Sequence, residues 1–436
     1  MRIVDLIEKK KRGEEHSKEE INFIIDSLQA EIVQDYQLSA WLMAVYFKGM
    51  TENETVYLTD ALIQSGEIVN LHELASKVVD MHTTGGVGDK TPIVLIPLLV
   101  AAGIPTIKLL GRGISNKGGT IDKFESIPGF NTSLAVPDVI NRIRNTHSAI
   151  SSQIQYIAPA NRTLQALKYA TGTIDSMPLI ASSVVSKKVA TGADNIIIDV
   201  KFGSGAFMKT IEDAEQLANL IVRVGKRLNK SIVAVITSMD EPIGRAVGNS
   251  LEIIEAIEFL KGKIQDSDFA NLVYEFGAIA LMQLKRYENK DDAIQYLKYL
   301  VSSGAALNKF KEIIIRHKGN PNVIEHYDKF PLPMYKIKCI SQKSGFINKI
   351  DSGKIAFACQ LLGAVRNKKS DEIDKSVGIY LNKKNGEWVE VGETLFTIYS
   401  NTRDITEIEQ CGLSAFTITE SQNQQRSLVH NIIRDI

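Results

Sequence analysis

The feature that most constrains the fold is a repeated pattern in which an apolar strand runs into a glycine-rich turn and then into a helix. Four apolar strands are predicted, over residues 77–80, 105–110, 196–200 and 232–237. The first three lead into glycine-rich turns, and an apolar helix is predicted over 92–102 after the first turn. Strands that alternate with helices at this spacing predict a parallel sheet wrapped by helices. Ligands bind beyond the carboxyl ends of such strands, where the three turns fall.

The segments on either side of this region have a different character. The first 66 residues predict helices, with capping boxes that begin at Ser17 and Thr51 and with Gly13 and Gly66 in C-terminal cap positions. After about residue 330, short strands are separated by polar turns. The fold class is therefore α/β: a small all-helical domain, a large α/β domain with a central, mainly parallel sheet, and a C-terminal β-rich α+β appendage.

Composition and charge exclude several classes of function. The 51 basic and 51 acidic side chains balance, which argues against a protein that binds nucleic acid through its phosphates. Cys339, Cys359 and Cys411 have neither the spacing of a metal site nor that of a disulfide framework, so a reducing compartment is expected. No apolar run of about 18 residues occurs, and the N-terminal segment is charged throughout. We therefore expect a cytoplasmic protein that binds neither membranes nor nucleic acid.

Three segments carry polar groups suited to chemistry. In residues 80–89 (Asp-Met-His-Thr-Thr-Gly-Gly-Val-Gly-Asp), glycines let backbone amides approach an anion, and the following helix adds its N-terminal dipole; a simple tight turn is the alternative. Residues 108–125 combine several cations and glycines with the Thr120 hydroxyl. Residues 182–188 (Ser-Ser-Val-Val-Ser-Lys-Lys) place hydroxyls beside lysines.

Taken together, these motifs are similar to those of the thymidine/pyrimidine-nucleoside phosphorylase family, and the chain resembles a divergent member of it. The likeness covers essentially the whole chain. The matching segments are His82, Thr84-Gly-Gly-Val-Gly-Asp89, Gly111-Arg-Gly, Gly118-Gly-Thr-Ile-Asp-Lys123, Ile180-Ala-Ser-Ser, Ser186-Lys-Lys, Gly203-Ser-Gly-Ala-Phe-Met-Lys209 and Ala246-Val-Gly-Asn249.

The resemblance implies a pentosyltransferase that phosphorolyses pyrimidine nucleosides to free base and (deoxy)ribose 1-phosphate, without an organic cofactor. It implies a helical, base-binding domain from 1–66 plus about 160–192, an α/β, phosphate-binding domain from about 76–159 plus 193–330, and a C-terminal α+β subdomain over 331–436. A homodimer formed mainly by the helical domain is also implied. Closure of the first two domains would bring phosphate against the anomeric carbon, so that catalysis is largely positioning and charge stabilisation.

The resemblance also assigns roles to individual residues. His82 would lie near the sugar and base, as a hydrogen-bonding or acid group. Phosphate would contact the glycine-loop amides, Thr83, Lys108 and Thr120, and the base would contact Lys168, Ser183 and Lys187.

Several positions of the expected phosphate pocket depart from the family pattern. Met81 stands where the family has lysine, Pro92 where it has a hydroxyl residue, and Leu110 where it has serine. Each lost charge-assisted contact is worth about 1.5–3 kcal/mol, so we expect weakened phosphate binding. Lys168 replaces an arginine on the base side, and the two cations are not equivalent there. Further changes are Asn116, Lys117 and Phe202.

The family also holds a monovalent cation, through positions that correspond to Gly88, residue 90, Ile243, Ala246 and Glu255. The hydroxyl residue expected at position 90 is Lys90 in this chain. Potassium is thus a candidate ligand that the Lys90 ammonium, close to Glu255, would replace directly. The alternative is that Lys90 points to solvent.

Three other functions stay open at this point. The first keeps the nucleoside but changes the acceptor from phosphate to water or another base, which suits a pocket that contains Met81 and Leu110. The second is a nucleoside-binding paralogue without catalytic activity. The third is a phosphoribosyltransferase of related architecture, which would need a metal–diphosphate site that the sequence does not reveal.

Overall fold

The computed structural model describes residues 1–71, 77–113, 118–152, 156–265, 267–366, 368, 371–422 and 427–434. The chain begins with four helices: α1 (Ile3–Lys11), α2 (Lys18–Gln29), α3 (Asp35–Lys48) and α4 (Glu52–Gln64). Both predicted capping boxes are confirmed, since Ser17 and Thr51 each accept a hydrogen bond from the backbone amide of the glutamate three residues on. Gly13 follows α1 with a left-handed φ of 84°, as expected of a C-terminal cap.

The prediction that Gly66 caps α4 is wrong. The cap residue is Ser65, and Gly66 does not adopt a left-handed φ. A side chain at Gly66 would instead collide with the Tyr156 carbonyl oxygen. Glycine is needed there because two chain segments cross closely, not because a helix ends.

The next part of the chain alternates strands with helices. Its elements are β1 (Val79–Thr83), α5 (Thr91–Ala101), β2 (Thr106–Leu110), α6 (Thr120–Phe124), α7 (Val136–Thr146), β3 (Ser148–Ser152), α8 (Pro159–Thr171), α9 (Met177–Ala190), β4 (Asn195–Phe202), α10 (Ile211–Arg227), β5 (Ser231–Ser238), β6 (Ala246–Val247), α11 (Asn249–Leu260), α12 (Asp268–Gln283), α13 (Lys290–Ser302) and α14 (Ala305–Arg316). The four predicted strands are confirmed as β1, β2, β4 and β5. Their runs of β-branched residues, such as Ile-Ile-Ile at 196–198, suit buried parallel strands.

Two short 3-10 turns, Pro321–Ile324 and Tyr327–Lys329, lead into the C-terminal part. Its elements are β7 (Tyr335–Ile340), β8 (Gly345–Ile350), α15 (Ser352–Leu361), β9 (Gly378–Leu381), β10 (Trp388–Val389), β11 (Thr394–Ser400), α16 (Thr406–Leu413), β12 (Phe416–Thr419) and β13 (Val429–Arg434). Strands β7 to β12, together with β6, form two small sheets, in the orders β10-β8-β12 and β6-β9-β11-β7. Because β6 comes from the α/β region, the second sheet joins the two parts of the chain.

The central sheet has six described strands in the order β13-β5-β4-β1-β2-β3. Neighbouring strands among β5, β4, β1, β2 and β3 all pair in parallel, which confirms the expected fold class. The last strand differs from expectation: β13 leaves the C-terminal appendage and pairs antiparallel with β5. This return covers an edge of β5 that would otherwise expose unpaired backbone groups.

Helices cover both faces of the central sheet. One face packs β1 and β2 residues such as Met81 against α5, α11, α12 and α14. The other packs β4 residues such as Ile198 against α4, α9 and α10. A third apolar cluster joins Leu38 and Trp41 of α3 to Leu164 of α8, so the inserted helices α8 and α9 pack against the N-terminal helices. Helix α9 thus lies between the helical bundle and the sheet.

Within the part of the chain that the structure describes, every helix is too short or too polar to cross a bilayer. The cytoplasmic location stays a prediction.

Candidate active site

The candidate site lies at the carboxyl ends of β1, β2 and β4, where a glycine-rich loop (residues 84–90) connects β1 to α5. The Thr84 amide donates to the Asp199 carbonyl oxygen (2.9 Å), and the Thr84 hydroxyl accepts from the Lys201 amide (3.0 Å). A side chain at Gly86 would meet the Lys201 side chain at 2.9 Å, so the loop passes directly over that lysine. These contacts hold the backbone of the loop against the end of the sheet.

A buried ion network beneath the loop was missed by the sequence analysis. Lys201 Nζ donates to Asp199 Oδ2 (2.6 Å) and lies 3.7 Å from Asp89 Oδ2. Burial alone would lower the pKa of Lys201, but Asp199 and Asp89 outweigh it and raise that pKa, which keeps the ammonium charged. The signal in the sequence was the pair Asp199 and Lys201, at alternate positions of an otherwise apolar strand.

Lys108 presents a second buried ammonium, on β2. Its Nζ lies 3.8 Å from Asp80 Oδ1, beyond hydrogen-bond distance, and has no hydrogen-bond acceptor among the described residues. Asp80 instead accepts from Lys188 Nζ of α9, at 2.9 Å. Burial, followed by repulsion from Lys188, lowers the pKa of Lys108 to about 7. When protonated, this ammonium has N–H donors free for an anionic ligand.

The other residues predicted to contact phosphate or sugar lie on neighbouring elements. His82 and Thr83 end β1, and Thr120 begins α6. The Thr83 hydroxyl accepts from the Gly85 amide (3.2 Å), which gives it a part in shaping the loop. Burial and three neighbouring lysines hold the pKa of His82 well below its usual range. Its imidazole is therefore neutral at physiological pH. A neutral imidazole can donate or accept a hydrogen bond, whereas a general acid would have to be protonated beforehand.

The three substituted positions of the expected phosphate pocket all carry apolar side chains. Met81 is buried in the core, where it borders one small void together with Pro92 and the Lys108 side chain. Leu110, two residues along β2 from Lys108, packs half-buried against the same core. None of these three side chains has a hydrogen-bond donor, so the contacts that the family pattern implies at these positions are lost.

The residues predicted to bind the base lie on the inserted helices, with Lys168 on α8 and Ser183 and Lys187 on α9. Lys168 Nζ donates to the Leu179 carbonyl oxygen at 3.2 Å. Burial, followed by repulsion from Lys187, lowers the pKa of Lys168 to about 7. Burial, followed by repulsion from Lys188, lowers the pKa of Lys187 to about 8. Near neutral pH these amines can either donate hydrogen bonds to a carbonyl oxygen or give up a proton.

Asn161 and Gln165 of α8 join this group, although the sequence analysis missed them. Ser183 Oγ lies 2.8 Å from Asn161 Oδ1 and 3.1 Å from Gln165 Oε1, and its single proton can be donated to one of the two. Asn161, Gln165 and Lys168 are spaced i, i+4 and i+7, so they share one face of the helix. That polar spacing was the available signal.

Lys90 lies among the groups at which the family pattern places a cation. Its Nζ donates to the carbonyl oxygens of Ile243 (2.6 Å) and Ala246 (2.9 Å) and to Glu255 Oε2 (2.6 Å). The side chain is fully buried, so the alternative in which Lys90 points to solvent is wrong. Gly88 lies against the same group, since a Cβ there would be 2.8 Å from the Ile243 oxygen.

These residues do not fit a bound potassium ion. The three protons of the Lys90 ammonium are directed to the three oxygens that a free cation would need. A second positive charge in the same place would be repelled by the first. A tethered ammonium therefore stands where the family pattern implies a free ion.

Two further departures from the family pattern have different outcomes. Asn116 and Lys117 lie outside the described residues. Phe202, at the end of β4, packs edge-to-face on His430 of β13, with ring centroids 6.0 Å apart. Its larger ring thus contacts the strand that returns from the C-terminal part.

Three comparisons place the chain among known proteins. Family models match it over 4–66 (glycosyl transferase family, helical bundle domain), 75–307 (glycosyl transferase family, a/b domain) and 346–418 (pyrimidine nucleoside phosphorylase C-terminal domain). It is 42% identical to pyrimidine-nucleoside phosphorylases of Staphylococcus epidermidis and Staphylococcus aureus, over 100% of this chain and 100% of each relative. In fold it is similar to anthranilate phosphoribosyltransferase of Thermus thermophilus, with a TM-score of 0.59, 15% identity and coverage of 72% of this chain and 99% of that one.

Proposed function

This chain belongs to the pyrimidine-nucleoside phosphorylase family, and on that premise we propose that it catalyses the phosphorolysis of pyrimidine nucleosides. The glycosidic bond breaks, a phosphate oxygen bonds to the anomeric carbon, and the products are the free base and pentose 1-phosphate. The observation that carries the proposal is the buried Lys108 ammonium, which has no hydrogen-bond acceptor among the described residues and lies 3.8 Å from Asp80 on β1, the strand that leads into the glycine-rich loop. The alternatives with another acceptor or without activity are not favoured, because full-length relatives are named phosphorylases.

Phosphate would bind to Lys108, Thr120 and the amides of the glycine-rich loop, which the buried Lys201 network holds in place. The transition state has oxocarbenium character, so the bound anion both stabilises it and supplies the nucleophile. Since Met81, Pro92 and Leu110 offer no donors, we expect weaker phosphate binding than a fully polar pocket would give.

The base would leave between α8 and α9. Lys168 and Lys187 would donate hydrogen bonds to its carbonyl oxygens and stabilise the negative charge that develops as the glycosidic bond lengthens. Their lowered pKa values also let either amine supply a proton to the departing base. Neutral His82 would hydrogen-bond to the sugar or base.

We propose in addition that the enzyme works without bound potassium, because the Lys90 ammonium already satisfies Ile243, Ala246 and Glu255. No organic cofactor is required by phosphorolysis.

We infer a homodimer from an exposed apolar stripe on α3. Tyr36, Met43 and Phe47, spaced i, i+7 and i+11, are 72%, 36% and 75% exposed, and Val4 of the neighbouring α1 is 51% exposed. Such a stripe is suited to a symmetric contact with a second copy. Light scattering at micromolar protein concentration tests this, and a monomer would contradict it.

The activity is tested by release of base from uridine, thymidine and deoxyuridine, with and without phosphate. We expect release that requires phosphate and yields pentose 1-phosphate. Lys108→Met should lower kcat/KM for phosphate by about a hundredfold, as expected for loss of a charged donor aimed at the reacting anion. Equal release of base without phosphate would indicate that the enzyme is a hydrolase and not a phosphorylase. No release of base from any of the nucleosides would refute the activity.

A further inference from the structure

Another buried ammonium, that of Lys384, connects the C-terminal part to the site. Lys384 lies in the β9–β10 turn (residues 382–387) and is 7% exposed. Its Nζ donates to the carbonyl oxygens of Pro242 (2.6 Å) and Gly244 (3.1 Å). It also lies 3.1 Å from Glu241 Oε2 and 3.1 Å from Asp268 Oδ2. Four oxygens therefore converge on one ammonium, and two of them belong to the backbone of a single loop.

That loop, residues 241–247, is called here the clamp loop. Lys384 holds the carbonyl oxygens of Pro242 and Gly244, while Lys90 holds those of Ile243 and Ala246. Two ammonium groups from different parts of the chain thus bind four carbonyl groups of the clamp loop, two each. These four charge-assisted hydrogen bonds restrain the backbone of the clamp loop.

The clamp loop in turn contacts the glycine-rich loop. The Ile243 amide donates to the Val87 carbonyl oxygen at 3.1 Å. Gly88 lies so close that a Cβ there would be 3.2 Å from the Ala246 carbonyl oxygen. A shift of the clamp loop would therefore move the backbone amides proposed to bind phosphate.

The β9–β10 turn has further contacts that fix its place. Arg245 of the clamp loop donates to the Asn382 carbonyl oxygen (2.8 Å), and the Leu381 amide donates to the Arg245 carbonyl oxygen (2.7 Å). The turn and the clamp loop are therefore docked as one unit. Within this unit, the positive charge of Lys384 offsets the negative charges of Glu241 and Asp268.

We infer that Lys384 is a positioning residue for the phosphate step: through the clamp loop, the C-terminal part of the chain sets the conformation of the glycine-rich anion loop. The inference rests on the proposed phosphorolysis. Without the Lys384 ammonium, the half-buried carboxylates of Glu241 and Asp268 would lose the cation between them, and two carbonyl groups of the clamp loop would lose their donors. The clamp loop would keep its Lys90 contacts but lose one of its two ammonium supports, so the glycine-rich loop would be held less firmly. Helices α8 and α9, which are proposed to hold the base, would keep their own contacts.

The test compares Lys384→Met with Lys383→Met in the full-length protein. Lys383 is the matched control because it is in the same turn but its Nζ contacts Trp388 and Glu393, away from the clamp loop. For Lys384→Met we expect phosphate KM to rise about tenfold or more, while nucleoside KM changes little, since small displacements of binding groups have effects of this size. Lys383→Met should leave both constants unchanged.

A purely structural role would lower the amount of active enzyme and leave phosphate KM where it was. Unchanged phosphate KM in folded Lys384→Met, or equal rises in both KM values, would overturn the inference. If Lys384→Met does not fold, Lys384→Gln, which keeps an amide donor, takes its place with the same expectation. In a third variant, Lys384→Ala, ammonium chloride should lower the phosphate KM toward the wild-type value, because a free ammonium ion can then bind among the four oxygens. A phosphate KM of Lys384→Ala that does not respond to ammonium chloride would also contradict the inference.

Wild-type kinetics separate this inference from the proposed function. If the wild-type protein does not catalyse phosphorolysis, the proposed function is wrong. The positioning inference is then tested by the rise in melting temperature that inorganic phosphate produces in wild type and in Lys384→Met. A rise in wild type that is absent in the variant supports it, and equal rises refute it.

Discussion

The pocket around Lys90 and the pocket around Lys108 both bury an ammonium near the carboxyl edge of the central sheet, but they pair it differently. Lys90 Nζ has three oxygen acceptors within 2.9 Å. Lys108 Nζ has none among the described residues, and its nearest carboxylate oxygen, on Asp80, is 3.8 Å away. Burial is similar in the two cases, so burial alone does not identify a ligand site. The difference in acceptors indicates that the first pocket is already filled and that the second is open to an anion.

The largest expected effect comes from Lys90→Thr, which returns the hydroxyl of the family pattern and removes the tethered charge. In a large organic cation such as tetramethylammonium, the buried Glu255 carboxylate would keep its two backbone amide donors but have no cation beside it, and the free energy of unfolding should fall by about 3–5 kcal/mol. Potassium should restore part of this loss, because an ion bound by the folded state alone stabilises it.

Chemical denaturation in potassium, sodium and tetramethylammonium chloride measures this effect, with wild type as the control. Wild-type stability should not distinguish potassium from sodium. A potassium-specific rise in the wild-type protein would show that Lys90 has not replaced the ion.

A smaller effect is expected when the phosphate pocket regains its donors. Met81→Lys, Pro92→Thr and Leu110→Ser together should strengthen phosphate binding by about ten- to a hundredfold, less than the sum of three charge-assisted contacts because they share one ligand. Stability should fall at the same time, since Met81 is packed in the apolar core.

Calorimetric titration with phosphate measures the gain, and binding of uridine serves as the control because the contacts proposed for its base lie on α8 and α9. Phosphate affinity that stays at the wild-type level would mean that the three substitutions do not weaken the pocket. Robust wild-type phosphorolysis with ordinary millimolar phosphate saturation would lead to the same conclusion.

The smallest effect concerns pH. The pKa of Lys108 is lowered to about 7, so its amine is charged below that pH and becomes neutral as the pH rises through it. Sulfate, whose charge does not change in this range, should therefore inhibit phosphorolysis several-fold less strongly at about pH 8 than at about pH 6. Lys108→Arg is the control, because a guanidinium stays charged throughout and its sulfate inhibition should not vary with pH. Inhibition of wild type that is constant with pH would contradict the assignment.

Local patterns predicted much of the framework correctly. The capping boxes at Ser17 and Thr51 depend on residues three apart, and strands β4 and β5 depend on contiguous runs of apolar residues. The contribution of Gly66 could not be predicted in this way, because the segment that crosses it begins about 90 residues later, at Tyr156. The pairing of β13 with β5 was missed for the same reason. The residues of β13 are partly exposed, and their sequence pattern does not indicate which strand β13 pairs with.

The sequence by itself determined the family and the α/β architecture, and it predicted which residues would face phosphate and base. The tertiary structure alone decided which ammonium groups are paired. Lys90 meets Ile243, Ala246 and Glu255, Lys384 meets Gly244, and Lys108 meets no acceptor among the described residues, because each outcome depends on segments brought together from more than a hundred residues apart or kept apart by the fold. The charge of a lysine is a local property, whereas the oxygens that surround it are a property of the folded chain.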